Sequence, residues 1–107
     1  MSVTISTGSD TATAYLTGEI DHHTAAIIRA NIDSAIEKQH PGTLVIDFSG
    51  VTFTDSSGIG LVLGRYKFMS AMGGKVCVTG LDSRMYKVMC LAGLDKLVAL
   101  EKKEEKR

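Results

Sequence analysis

Three times along this chain a short run rich in β-branched residues gives way to an aspartate and then to a stretch with apolar residues at helical spacing, at Asp21, Asp55 and Asp82. β-Branched residues suit a pleated strand. A carboxylate just ahead of a helix accepts from the N–H groups that the first turn leaves unpaired. Apolar residues three and four apart share one helix face. Repeated strand–helix units of this kind predict an α/β sheet with right-handed crossovers.

Residues 3–6 (VTIS) and 12–17 (ATAYLT) read as an opening antiparallel hairpin, turned at Gly8-Ser9-Asp10 and ended by Gly18. Asp21 or Thr24 caps a helix that runs to about Lys38, with Ile28, Ile32 and Ile36 as its stripe. Pro41 and Gly42 end it. Residues 43–48 (TLVIDF) read as a strand buried on both faces. Asp55 and Ser56 then introduce a helix from about Ser57 to Met72, stopped by Gly73-Gly74. Residues 75–79 (KVCVT) form the next strand, and Asp82 or Ser83 caps a third helix with Met85, Val88, Met89 and Ala92 as its stripe, ending at Gly93. Residues 97–100 (LVAL) make a last strand. The order is ββαβαβαβ, one α/β domain over residues 1–100 with helices packed on a mixed sheet. EKKEEKR, residues 101–107, follows as a charged tail expected to fray or to be weakly helical.

A chain of 107 residues is one domain with one core. Its 12 Lys+Arg balance 12 Asp+Glu, which argues against bulk electrostatic binding to nucleic acid or to an acidic membrane. No apolar stretch approaches a membrane span and the start does not read as a secretory signal, so a cytoplasmic location is expected. The balance hides a polarity. Residues 1–63 carry seven acids against two bases, and residues 64–107 carry ten bases against five acids. Either this is the accident of solvated faces, or an acidic docking patch lies around Asp21 and Asp55. Cys77 and Cys90 sit in apolar runs without a CxxC spacing and read as buried structural thiols. His22 and His23 are helix neighbours that face apart, so no metal site is expected.

The strand-to-helix turn Asp55-Ser56-Ser57-Gly58-Ile59-Gly60 is the informative segment, because open α/β sheets place their sites at the carboxyl ends of strands. A nucleophile elbow needs G-x-S-x-G, but Thr54 and Asp55 stand where the first glycine would be. The chain holds no phosphate-binding G-x-x-x-x-G-K-[ST] run, and Gly58, Gly60 and Gly64 are spaced one residue too far for a dinucleotide fingerprint. The reading is therefore a binding protein without catalysis and without a cofactor. The helix that follows is apolar on two faces, Ile59, Val62, Leu63, Tyr66 and Met69 on one and Leu61, Phe68 and Met72 on the other. It is either wedged between neighbours, or its first turn with Ile59 stays free for a partner. Taken alone, Ser56 and Asp55 can be mere caps, Asp21 a cap or a partner contact, Arg65 a solvated charge or a salt bridge, and Gly60 a packing requirement.

Residues 53–67 (FTDSSGIGLVLGRYK), together with LTGEIDHHTA at 16–25, GGKVCV at 73–78 and AGLDKLV at 92–98, resemble the anti-anti-sigma factors of the STAS-domain family, in particular its sporulation branch. The family generally continues into a C-terminal helix, where this chain has the charged tail. The resemblance implies a partner switch. The unphosphorylated protein binds an anti-sigma factor that is also a serine kinase and so releases a sporulation sigma factor. The kinase phosphorylates the serine after the aspartate, here Ser56, and a metal-dependent serine phosphatase restores it. A general-stress paralogue, or a STAS scaffold module in a larger assembly, is the alternative. Since the loops after the second and third strands can share one edge, Glu19, Asp21, Asp55, Ser56, Ser57, Ile59 and Gly60 are expected to form one docking surface. There Asp21 would meet a basic residue, Ile59 would supply the apolar centre, and Gly60 would allow close approach. The free protein is expected to be a monomer.

Overall fold

The computed structural model describes residues 2–103. Its elements run β1 (Ser2–Thr7), β2 (Thr11–Ile20), α1 (His22–Gln39), β3 (Thr43–Thr54), α2 (Ser56–Ala71), β4 (Lys75–Leu81), α3 (Ser83–Leu91), a 3-10 turn (Leu94–Lys96) and β5 (Ala99–Lys102). The expected ββαβαβαβ order is therefore observed. The sheet is mixed, and its spatial order is β1-β2-β3-β4-β5. β1 is antiparallel to β2, while β2, β3, β4 and β5 are parallel. All three helices follow the C-terminal end of a parallel strand, so their N-termini open towards the same edge of the sheet.

The core lies on one side of this sheet. Alternate residues Ala12, Ala14 and Leu16 of β2, Leu44, Ile46 and Phe48 of β3, and Val76 and Val78 of β4 are buried with Ile28, Ile32 and Ile36 of α1, Leu61, Val62 and Met69 of α2, and Met85 and Met89 of α3. The intervening Val45, Asp47 and Cys77 are only half-buried. β3 thus corrects the expectation of a strand covered on both faces: its alternation carries one packed and one open face. Cys77 belongs to the open face and Cys90 is also half-buried, so neither is the fully buried thiol that its apolar neighbours suggested.

Other boundaries differ for local reasons. Gly18 does not end β2. It lies within the strand at φ 86°, where the pairing with β3 shifts register before Glu19. That bulge re-aims the last residues of β2 and carries them to the helix start. β3 continues through Ser49 and Gly50 to Thr54, since β2 runs alongside it to the Ile20–Thr54 pair. On α3, Met85 and Met89 are buried, but Val88 and Ala92 of the expected stripe are exposed. β5 includes Glu101 and Lys102, which the sequence assigned to the tail, and residues 104–107 lie outside the described residues.

Candidate functional site

Asp21, Asp55 and Asp82 are the N-caps of α1, α2 and α3. Each side chain accepts from a backbone N–H of the first turn, at Thr24, Ser57 and Met85 respectively. At Asp21 the cap is reciprocal: the Asp21 N–H donates to Thr24 Oγ1 at 2.9 Å. The Thr24 N–H bond is the main cause that holds the Asp21 carboxyl below its ordinary range. A further link joins the first two handovers, as Asp55 donates its backbone N–H to the carbonyl of Ile20 at 3.4 Å.

With Asp55 as the cap, Ser56 is the first residue of α2 and stands exposed at its positive end. Glu19, Asp21, Asp55 and Gly60 are also exposed, while Ser57 and Ile59 are half-buried. Ile59 packs on the rim of the core. The register of β2 against β3 sets Glu19 beside Phe53 and Ile20 beside Thr54, so the two acidic turns are neighbours on one edge.

The first turn of α2 separates two hollows. On one side Ser56, Asp55 and Ile59 join Thr52, Phe53 and α3 residues Met85, Val88 and Met89 around a cavity of about 250 Å³, with Asp82 and Arg84 also in its wall. Phe53 and Val88 stay 46% and 43% exposed there, which gives this hollow an apolar mouth. On the other side Ser57, Gly60, Gly64 and Arg65 of α2 face His22, Ala25, Ala26 and Arg29 of α1 across a cleft of about 460 Å³. The α3 wall is the part that sequence reasoning missed. Its signal was present in Asp82-Ser83, which repeats the Asp-Ser pair of α2 at the next parallel strand.

Arg65 is neither solvated nor free. It is 6% exposed, and its Nε lies 2.8 Å from Asp33 Oδ1 across the seam between α2 and α1. Burial lowers the guanidinium's proton affinity and raises that of the Asp33 carboxyl, each against the pull of the other. Gly60 is not explained by packing, because a Cβ placed there meets nothing within 4 Å. Among the described residues no three His, Cys, Asp or Glu side chains gather as a metal-binding group, and no helix is long and apolar enough to cross a membrane.

A one-sided α/β sheet in chain order, with capped helix starts along one edge and a serine exposed at the middle one, defines the class of fold. Residues 4–106 match the STAS domain family, and the chain belongs to it. It is similar to the anti-sigma F factor antagonist of Lysinibacillus sphaericus, with 39% identity over 85 residues that cover 79% of this chain and 73% of that one. The anti-sigma F factor antagonist of Paenibacillus polymyxa is 34% identical over the same shares of the two chains. Among solved structures, the Bacillus cell fate determinant SpoIIAA in its phosphorylated form superimposes with a TM-score of 0.74 at 33% identity, covering 92% of this chain and 90% of that one.

Proposed function

We propose that this protein is an anti-sigma factor antagonist of the sporulation type, switched by phosphorylation of Ser56. In this reading the unphosphorylated protein binds an anti-sigma factor that is also a serine kinase and displaces its sigma factor. A metal-dependent serine phosphatase reverses the modification, and the exchange takes place in the cytoplasm. The protein contributes a surface and an acceptor hydroxyl rather than catalysis.

The observation that carries the reading is the position of Ser56. It is exposed at the start of α2, relieved of capping by Asp55, and flanked by the acidic turn of β2. A phosphate there adds roughly −1.5 to −2 charges. The helix N-terminus accommodates that charge, so the fold persists while the surface gains negative charge and bulk. Glu19, Asp21 and Asp55 already make this edge negative, and the added phosphate turns a patch that attracts a basic partner group into one that also blocks its approach. The relatives that are anti-sigma F factor antagonists support the reading, as does a phosphorylated form of a protein with this fold.

The test is to mix the purified protein with an anti-sigma F factor and ATP and to map the product by mass spectrometry. One phosphate on Ser56 is expected, together with weaker binding of the modified protein. No phosphate, or phosphate on Ser57 alone, overturns the assignment.

A further inference from the structure

The cleft between α1 and α2 has two properties that packing does not require. Its floor contains Gly60 and Gly64 inside a helix, where glycine is less favourable than alanine. A Cβ built at either position meets nothing within 4 Å, so neither glycine is there to admit a neighbouring part of the fold. What they keep clear is the cleft itself.

Its wall is cationic, and part of that charge is unanswered. Arg65 lines the cleft at 6% exposure with its Nε 2.8 Å from Asp33 Oδ1 as an ion pair, and both its Nε and its Nη1 are buried without a hydrogen-bond partner among the described residues. Arg29 stands close enough to oppose Arg65's charge. His22 closes the end nearest the acidic turn, and the Ser57 residue adds a hydroxyl to the wall. Of the two guanidinium groups beside this open space, Arg65 contacts the Asp33 carboxylate and Arg29 acts on it only through its charge. A buried donor left unpaired is costly, and a carboxylate is the group that a guanidinium pairs with best.

We propose that this cleft receives an acidic side chain of the docked protein partner, at the same time as Asp21 meets a basic one. The inference rests on the docking reading above and adds a second point of attachment. A small free anion is disfavoured because Glu19 and Asp21 guard the same edge. A carboxylate carried by a protein that also neutralises Asp21 avoids that repulsion. Two contacts of opposite sign, one on each side of His22, fix the direction in which the partner lies along α2.

The experiment measures binding of the intact protein to an anti-sigma F factor at low and high salt, beside thermal melts. The variants are Gly64→Ala, Arg29→Gln, Arg29→Glu and Asp21→Asn. Gly64→Ala is expected to raise the melting temperature and yet weaken binding about fivefold or more, the opposite of a damaged fold. Arg29→Gln should weaken binding several-fold and Arg29→Glu further, with the difference between them shrinking at high salt. If wild type and Asp21→Asn behave as the docking reading requires, but Gly64→Ala and Arg29→Glu bind like wild type, the cleft proposal is wrong and the docking reading stands. If wild type does not bind at all, the docking reading fails and the proposal fails with it. A parallel titration with inorganic phosphate supplies the remaining outcome: saturable binding abolished by Arg29→Gln, with partner binding unchanged, would make the cleft a small-anion site and overturn the proposal.

Discussion

Gly58 lies directly against Thr54. A Cβ on Gly58 would run into the Thr54 hydroxyl and would sit 3.2 Å from Thr54 Cβ and 3.3 Å from Thr54 Cγ2. The last residue of β3 and the third residue of α2 are therefore in contact across the turn that presents Ser56. This glycine, unlike Gly60 and Gly64 further along the helix, is required by the fold.

Gly58→Ala is accordingly expected to destabilise the domain by about 1–3 kcal/mol, the usual cost of overpacking a tight contact. Thr54→Ala in the same chain should recover part of that loss by removing the obstructing hydroxyl and methyl. Chemical denaturation of both variants checks this, and equal stability of the single and double variants would show that the strain lies elsewhere.

Ser56→Ala and Ser56→Asp should both remain folded, with melting temperatures close to wild type, because Asp55 and not Ser56 caps α2. Their binding should diverge. The alanine variant should bind the anti-sigma factor constitutively and the aspartate variant poorly, as titration calorimetry would read.

Ile59 packs on the core rim and also lines the hollow beside α3. Ile59→Ala is expected to cost about 1–2 kcal/mol of stability, less than a fully buried truncation, and to weaken partner binding equally at low and high salt. Unchanged affinity of the folded fraction would remove Ile59 from the docking surface.

Two carboxylates associated with α1 should pull the acid stability profile in opposite directions. Thr24's N–H favours ionised Asp21 in the folded chain, so its contribution is complete above the ordinary value of 3.8 and vanishes as pH falls through the lower folded value. Burial favours neutral Asp33, despite the nearby Arg65, so its contribution is complete below 3.8 and is lost as pH rises through the higher folded value. Asp21→Asn keeps a good capping side chain without the titration, and its profile should flatten on the acid side. Asp33→Asn should remove the opposing trend and lower stability at neutral pH, where it leaves Arg65 without its counter-charge. Melts of the three proteins between pH 2 and 7 separate these signs.

The sequence was most legible where short-range chemistry decides the outcome. The three aspartates cap the three helices, and the isoleucine stripe of α1 is buried as its spacing requires. It was least legible where one element depends on another. Gly18 looks like a terminator in isolation, yet pairing with β3 holds it inside β2 as a bulge. Val88 has the right spacing for the core of α3 but faces the hollow beside Ser56, because the partner face of that helix is narrow. Arg65 gives no local sign of the carboxylate waiting 32 residues earlier on a different helix. The edge that gathers Glu19, Asp21 and Ser56 was foreseeable from strand order, whereas the two hollows that divide it are products of how α1 and α3 lean on α2.

The sheet order β1-β2-β3-β4-β5 repeats the order of the chain. Each new strand therefore finds its neighbour already in place, and no strand has to be inserted between two that are made earlier. A ribosome delivers such a chain in the sequence in which it can be laid down, one strand–helix unit condensing on the last. Ser56, at the start of α2, is flanked by sheet on only one side until β4 and α3 arrive. The growing chain thus completes the wall beside Ser56 only after the serine itself has emerged, and a nascent protein cannot present the finished surface around Ser56 before its third crossover has closed.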